Sequence, residues 1–493
     1  MNDPSYSFAD IETISAKGCI AIISDNARRK GNTGTAGNKI AKAGSGTKAK
    51  GFSRNHLIAM ALGNIIGSGI FLGSGNVISL AGPAAVLSYA FGGLIMLFEV
   101  MFITEMTIAN PAPGSFRVHA SEIFGPWMGF VNGWMFWTSG VLGMASEVAA
   151  AAIFTKLWLP RTPMWIFCLV YAALMTVVNL ADKRGLSMIE SWLASVKVIA
   201  LVLFILFGLL LVTGVVTLGS IKFSNIFGSL GDFFPKGIKG VLASLIMVLF
   251  SFTGTGIIGL SIAEAEDPGK DAPPAIYTIT FSVIIIYCLS ILFIVLLTPW
   301  NTVSTDSSPF VAILNKTGIS SGGDILNFIV LTASLSGLNS SMYSASRILN
   351  SLSIDKQAPK LFLVKNRNGV PVYALGLSSL VLMLTAIMSY ILPSKVFAIL
   401  AGASGFTAMF NWLTISVTHF FYRRKNLEEN PGRLKFKAPG YPFTTILMVA
   451  VIIMVFATSP LYPGQISGLI GSLALFAALV VTYLAMKSAG KPR

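Results

Sequence analysis

The sequence predicts an all-α polytopic membrane protein with about twelve transmembrane helices. Of its 493 residues, 54% are hydrophobic and only 11% are charged, against roughly 25% charged in soluble domains. The apolar residues gather in twelve blocks, each close to the ~20 residues a spanning helix needs. Lys and Arg exceed Asp and Glu by 15, but the positive charge lies between the blocks and not along a dense basic face. A nucleic-acid binder is therefore not expected.

The chain opens with residues 1–52, read as a disordered basic cytoplasmic tail because 26–50 is rich in Gly, Ala, Thr, Asn and Lys. Its one apolar run, 19–23, is too brief for a signal peptide. The tail's charge suits contact with anionic membrane lipid or plain solvation. The blocks follow near 56–80, 84–106, 127–154, 164–181, 192–215, 240–262, 275–298, 325–351, 372–392, 396–421, 442–460 and 466–486. With the N-terminus in the cytoplasm, 27 Lys and Arg fall in cytoplasmic segments and 7 in external ones, with Lys197 alone inside a span. That bias puts both termini in the cytoplasm of a multi-pass protein of the cell membrane.

Two blocks are interrupted. The first reads GNIIGSGIFLGSG over 63–75, with five glycines, and the sixth reads FSFTGTGIIGL over 250–260, with three. Each interior glycine costs a helix roughly 1 kcal/mol against alanine, so such clusters invite the backbone to unwind. Freed N–H and C=O groups survive in hydrocarbon only against protein, ligand or a wet cavity. Close helix packing is the other reading of either cluster taken alone. Their recurrence five spans apart favours a binding site, because five is odd and two five-helix halves then enter the membrane in opposite senses. The organisation predicted is a first five-helix repeat over 53–215, an external connection over 216–239 and a second, inverted repeat over 240–421. A cytoplasmic loop over 422–441 and two appended helices with a short tail over 442–493 complete it.

Enzyme chemistry is not expected. Cys19, Cys168 and Cys288 are far apart, and His56, His119 and His419 share no motif. Neither set has the spacing of a disulfide framework, a metal site or a Cys/His nucleophile. No GxxxxGK[ST] run points to ATP, and no cofactor or obligate protein partner is indicated.

At the glycine clusters the chain resembles the amino acid–polyamine–organocation superfamily, above all its bacterial amino acid permeases. The carrying segments are GNIIGSGIFLGSG over 63–75 and EMTIANPAPGSFRVHASEIFGPWMGFVNGW over 105–134, then FSFTGTGIIGLSIAEAEDPGKDAPPAI over 250–276 and SGLNSSMYSASRILNSLS over 336–353. The resemblance spans roughly residues 50–440 and implies the leucine-transporter-type fold, a 5+5 inverted repeat plus two C-terminal helices. It implies a secondary amino acid transporter working by alternating access, with a small-molecule amino acid and a proton as its cargo.

Physical reading and resemblance converge on one site. The amides around Gly67, Ser68, Gly69 and Ile70 open a second half-helix and suit an α-carboxylate. Carbonyls near Ile65, Ile66 and Phe250 suit an α-ammonium, and Thr253 and Gly254 border the span-six break. Phe252 corresponds to an aromatic gate in the family, with core packing as its other reading. Many relatives carry Glu where this chain has Gly256, which removes a carboxylate and predicts an enlarged pocket for a neutral or bulky side chain. Lys197 lies where sodium-coupled relatives hold a cation, so it is a coupling candidate, unless it snorkels to the interface. Glu147, inside span three, is open to three roles: contact with the substrate ammonium, proton relay, or a structural carboxyl. Glu99 reads as a packing or pairing residue, and Glu105 and Arg117 as parts of an internal gate. Glu264, Glu266 and Asp267 read as loop-pairing residues, and Ser336, Asn339, Ser340 and Ser341 as polar groups along span eight. Two alternatives to proton-coupled uptake remain at this stage: exchange without net proton movement, and a permease-like sensor.

Overall fold

The computed structural model describes residues 54–488, apart from 112–115, 182, 218–227, 257, 259–261, 263–266, 320, 430 and 463. The expected tail and the acidic pair Glu264 and Glu266 lie outside the described residues. Among the described residues the structure is helical, with a single isolated bridge between Lys365 and Pro371.

The first apolar block is cut where the glycines predict. α1 (Arg54–Ile65) ends before an extended Gly67, and α2 (Ser68–Phe71) resumes the helix. α3 (Gly73–Ala81) continues it to Gly82, whose φ of 65° admits the turn into α4 (Ala85–Ala109). α5 (Phe116–Phe124) lies across the next connection, and a Gly125–Pro126 step starts α6 (Pro126–Lys156). α7 (Met164–Ala181), α8 (Lys183–Val212) and α9 (Gly237–Phe250) follow. α9 runs out at the second glycine cluster into a single 3-10 turn, Thr253–Thr255. Asp267 then caps the amide of Lys270 and Pro268 takes the first turn of α10 (Pro268–Leu297). α11 (Pro309–Lys316), α12 (Gly322–Ile354), α13 (Val372–Ile391), α14 (Val396–Glu429), α15 (Phe443–Thr458) and α16 (Ile466–Ser488) complete the chain.

Ten helical paths among the described residues are long and apolar enough to cross a membrane, and Met164–Leu180 is a shorter apolar helix. Ten differs from the expected twelve for local reasons. With α1 set apart by the break at Gly67, the turn at Gly82 joins α3 to α4 as one path in place of two, and α7 falls among the shorter helices.

α6 is the central post. Ala149, Ala150, Ala151 and Ala152 are fully buried, so neighbouring helices approach its backbone closely. α5, α7, α12, α13, α14 and α16 pack on it, whereas α1 packs on α8, α10, α12 and the 253–255 turn. The outer surface is apolar: Leu380, Leu384, Ile387 and Ile391 of α13 are exposed, and α16 buries only Ser472. Hydrocarbon is the solvent that suits such faces.

Two buried carboxylates join α4 to α14. Ser416 Oγ donates to Glu99 at 2.6 Å, in keeping with the pairing role read for Glu99. Glu105 Oε2 accepts from the Ala438 amide at 2.6 Å and from Arg423 Nη1 at 3.2 Å, with His419 Nε2 at 3.1 Å. Arg423 also donates to the Ala438 carbonyl at 2.6 Å, and His419 Nδ1 meets Thr445 Oγ1 of α15 at 3.2 Å. Glu105 therefore anchors the loop before α15, and its bonds lead away from Arg117. Truncating one member of a buried charge network costs about 3–5 kcal/mol. Glu105→Ala is expected to lower the melting temperature in detergent clearly. Arg424→Ala, which removes only an exposed pair with Glu428, should leave it unchanged. Equal melting temperatures for the two variants would refute the anchor.

Candidate functional site

The two breaks cross at their glycines. A Cβ on Gly69 would sit 2.6 Å from Ser251 Cα, and a Cβ on Gly254 would sit 2.4 Å from the Asn64 carbonyl oxygen. Each broken segment thus carries a glycine where the other's backbone passes. Beside the crossing lies a cavity of about 80 Å³, lined by the breaks and by one face each of α6 and α12. Such a volume holds roughly six water-sized groups, the heavy-atom count of a small amino acid. Of the expected binding residues, Ile65, Gly67, Gly69, Phe250, Thr253 and Gly254 line it, together with Glu147.

The freed backbone groups are engaged by named partners. The Ile66 amide donates to the Leu62 carbonyl at 3.1 Å. The Ile65 carbonyl accepts from the Tyr287 hydroxyl at 3.1 Å, and the Phe250 carbonyl from Thr253 Oγ1 at 2.9 Å. Each of these carbonyls keeps a second lone pair. Ser68 and Ile70 are fully buried at the start of the resumed helix. The Ser68 amide donates to both carboxylate oxygens of Glu147, at 3.1 and 3.2 Å.

Lys197 is fully buried, and its ammonium donates to the Gly63 carbonyl at 2.9 Å. Snorkelling is not what this side chain does: the head stays inside, against the last turn of α1. Gly63 makes the contact feasible, because a Cβ there would lie 2.5 Å from Ala194 Cβ, one turn before Lys197.

Phe252, Gly256, Arg117 and Glu105 are not among the residues that line the cavity. Phe252 is fully buried in an aromatic trio with Tyr89 and Tyr287, at ring distances of 6.3 and 5.3 Å. Gly256 does not enlarge the pocket, because Phe136 occupies the space: a Cβ there would meet its ring at 2.7 Å. Phe136 itself lines the cavity and packs on Phe116 of α5 at 5.0 Å. Arg117 and Glu105 bond to different partners. Arg117 passes over Gly133 of α6 to reach Asp355 and, at 3.1 Å each, Ser351 and Gln357 near the end of α12.

The sequence reading missed Asn64, Phe136, Ser139, Gly140, Gly143, Ser251, Gly337, Ser344 and Ala345 as lining residues. A signal existed for some of them. Gly140 and Gly143 stand seven and four residues before Glu147, on one helix face, and Gly337, Ser341, Ser344 and Ala345 share a face of α12. The face marked by Ser336 and Ser340 bonds along its own helix, with Ser340 Oγ donating to the Ser336 carbonyl at 3.1 Å. Among the described residues no three His, Cys, Asp or Glu side chains gather as a metal site.

The glycine geometry makes a prediction by contrast. A Cβ on Gly140 would meet nothing within 4 Å, so Gly140→Ala should keep the wild-type melting temperature in detergent. Gly69→Ala and Gly254→Ala should each lower it by several degrees, because the crossing backbones must part. A Gly254→Ala protein as stable as Gly140→Ala would disprove the crossing.

The sequence profile of the amino acid permease family matches residues 56–489. The chain is 36% identical to the gamma-aminobutyric acid permease of Bacillus subtilis (strain 168), over 83% of its own length and 87% of that protein's. It is also 36% identical to the amino-acid permease RocC of the same organism, covering 84% and 89%. With that organism's probable threonine/serine transporter YbxG it shares 32% identity, covering 88% and 94%. Helices fit for crossing a membrane, a cavity at two unwound segments and these likenesses agree: the chain belongs to the amino acid permease family.

Proposed function

We propose that this protein is a secondary active transporter of the cell membrane that carries an amino acid inward with a proton by alternating access. Family membership supports amino acid transport. The observation that carries the site is the cavity at the reciprocal crossing of the breaks, lined by Ile65, Gly67 and Gly69 of one and by Phe250, Thr253 and Gly254 of the other. In this reading α1 to α3 form span one, and spans two to five are α4, α6, α7 and α8. α9 and the residues after its break make span six, and α10, α12, α13, α14, α15 and α16 make spans seven to twelve. The crossing of spans one and six supports the 5+5 inverted repeat, and the Lys and Arg bias supports cytoplasmic termini.

The substrate carboxylate is assigned to the amides at Gly67 to Ile70 and the ammonium to carbonyls near Ile65, Ile66 and Phe250, beside Thr253 and Gly254. Among the described residues that line the cavity, Glu147 alone is charged, and with its carboxylate engaged by the Ser68 amide the reading favours a small substrate with a neutral side chain. The names of two relatives, for gamma-aminobutyric acid and for threonine and serine, suit that size and charge. Lys197 and Glu147, on opposite lips of the span-one break, are assigned to proton coupling. Phe136, packed on Phe116, is assigned with Arg117 to the closure on the α5 side, while Phe252 steadies the break from behind.

Reconstituted liposomes test this reading. Uptake of labelled L-threonine, L-serine, L-alanine and γ-aminobutyrate is to be measured with and without an inward proton gradient. Accumulation that follows the gradient is expected, with Lys197→Ala losing accumulation and keeping substrate binding. Uptake that ignores the gradient and requires internal amino acid would replace symport by exchange.

A further inference from the structure

We infer that Glu147 is a built-in stand-in for the substrate's α-carboxylate: when ionised it occupies the Ser68 amide, and a substrate carboxylate shares that position only once Glu147 is protonated. The inference rests on the transport reading above and adds to it the place and order of the proton's entry.

The geometry puts Glu147 at the carboxylate end of the site. Both of its oxygens lie within hydrogen-bond distance of the Ser68 amide, 79 residues away in the chain. The side chain presses into the break itself, since a Cβ on Gly67 would lie 2.6 Å from Glu147 Oε1. From its other side it rests on Gly337 of α12, where a Cβ would meet Oε1 at 3.4 Å. The cavity runs up to this contact, for Gly67, Gly69 and Glu147 all line it. An amino acid in the cavity with its carboxylate on the resumed helix therefore meets a protein carboxylate already there.

Two carboxylates at one amide in a low-dielectric interior repel strongly, and one proton between them relieves the conflict. The charged and titratable groups that act on Glu147 are Lys197 of α8 and Tyr287 of α10. α2 and α12 face it with Ser68 and Gly337. Lys197 holds the Gly63 carbonyl on the opposite lip, so the two side chains reproduce the two ends of a zwitterion across the break. In the empty, deprotonated carrier the protein satisfies its own anion position. Binding of an amino acid then brings one proton with it, whichever neutral side chain the substrate carries.

Equilibrium binding to the purified full-length protein in nanodiscs tests this without any gradient. L-threonine, L-serine, L-alanine and γ-aminobutyrate are titrated singly between pH 5.5 and 8.5, and ethylamine, which has no carboxylate, serves as the control. Uptake of one proton per binding event predicts that affinity for the amino acids falls by about tenfold per pH unit above the point where Glu147 ionises. Glu147→Gln should bind them with little dependence on pH and, at pH 8.5, more tightly than wild type. Because Glu147→Gln can fail to fold, Ser68→Pro is the second variant. It deletes the contested N–H at a first helical position, which tolerates proline, and the extended Gly67 before it suits that neighbour. That protein should bind more weakly at low pH and lose the pH slope. A flat wild-type profile, or a slope that survives in either variant, overturns the inference and leaves amino acid binding intact. Ethylamine with the same slope as L-alanine overturns it too. Absence of amino acid binding by wild type and variants alike would instead remove the transport reading, and this inference with it.

Discussion

The structure depends on satisfying a backbone that has been opened inside hydrocarbon. Between Ile65 and Ser68 the chain gives up helical hydrogen bonds, and each freed group needs a partner. Lys197 serves the Gly63 carbonyl, Tyr287 the Ile65 carbonyl and Glu147 the Ser68 amide. These three side chains come from α8, α10 and α6, so one break recruits three helices. The second break is held by the first through the paired approaches of Gly69 to Ser251 and Gly254 to Asn64. Other packing in the interior serves to bring those side chains to that point.

The arrangement is electrostatically economical. An α-helix presents carbonyls at its end and amides at its start, and the break places one of each face to face. A cationic side chain at the carbonyl end and an anionic one at the amide end complement both. In the proposed function, the same logic lets a zwitterion lie in the break against backbone groups.

Much of this was legible in the sequence, and the limit of legibility is physical. Glycine clusters are local signals, since a glycine's helix penalty belongs to its own residue, and both breaks fall at the clusters. Lys197 and Glu147 stood out because ionised side chains inside apolar blocks are costly wherever they point. Tertiary contacts left no such trace. Gly256 reads as an empty place until Phe136, 120 residues earlier in the chain, is seen lying over it. The sequence around Phe252 gives no sign that Tyr89 and Tyr287 pack against its ring. Tyr287 is one aromatic in an apolar block, and nothing in its neighbours tells that its hydroxyl meets a carbonyl of α1. α8 and α10 begin before their apolar blocks because a helix can start ahead of the hydrophobic stretch that identifies it.

The carboxylates along α4 have a mechanical consequence. Glu99 bonds α14 at Ser416 and Glu105 bonds it again at His419 and Arg423, so the two helices are pinned at two heights. A slide of one past the other by a single turn, about 5.4 Å, would strip both buried acids of their α14 partners at once. No smooth series of intermediate contacts spreads that cost over the stroke. Any motion of the carrier must therefore take α4 and α14 together, as one rigid beam, and find its hinges elsewhere.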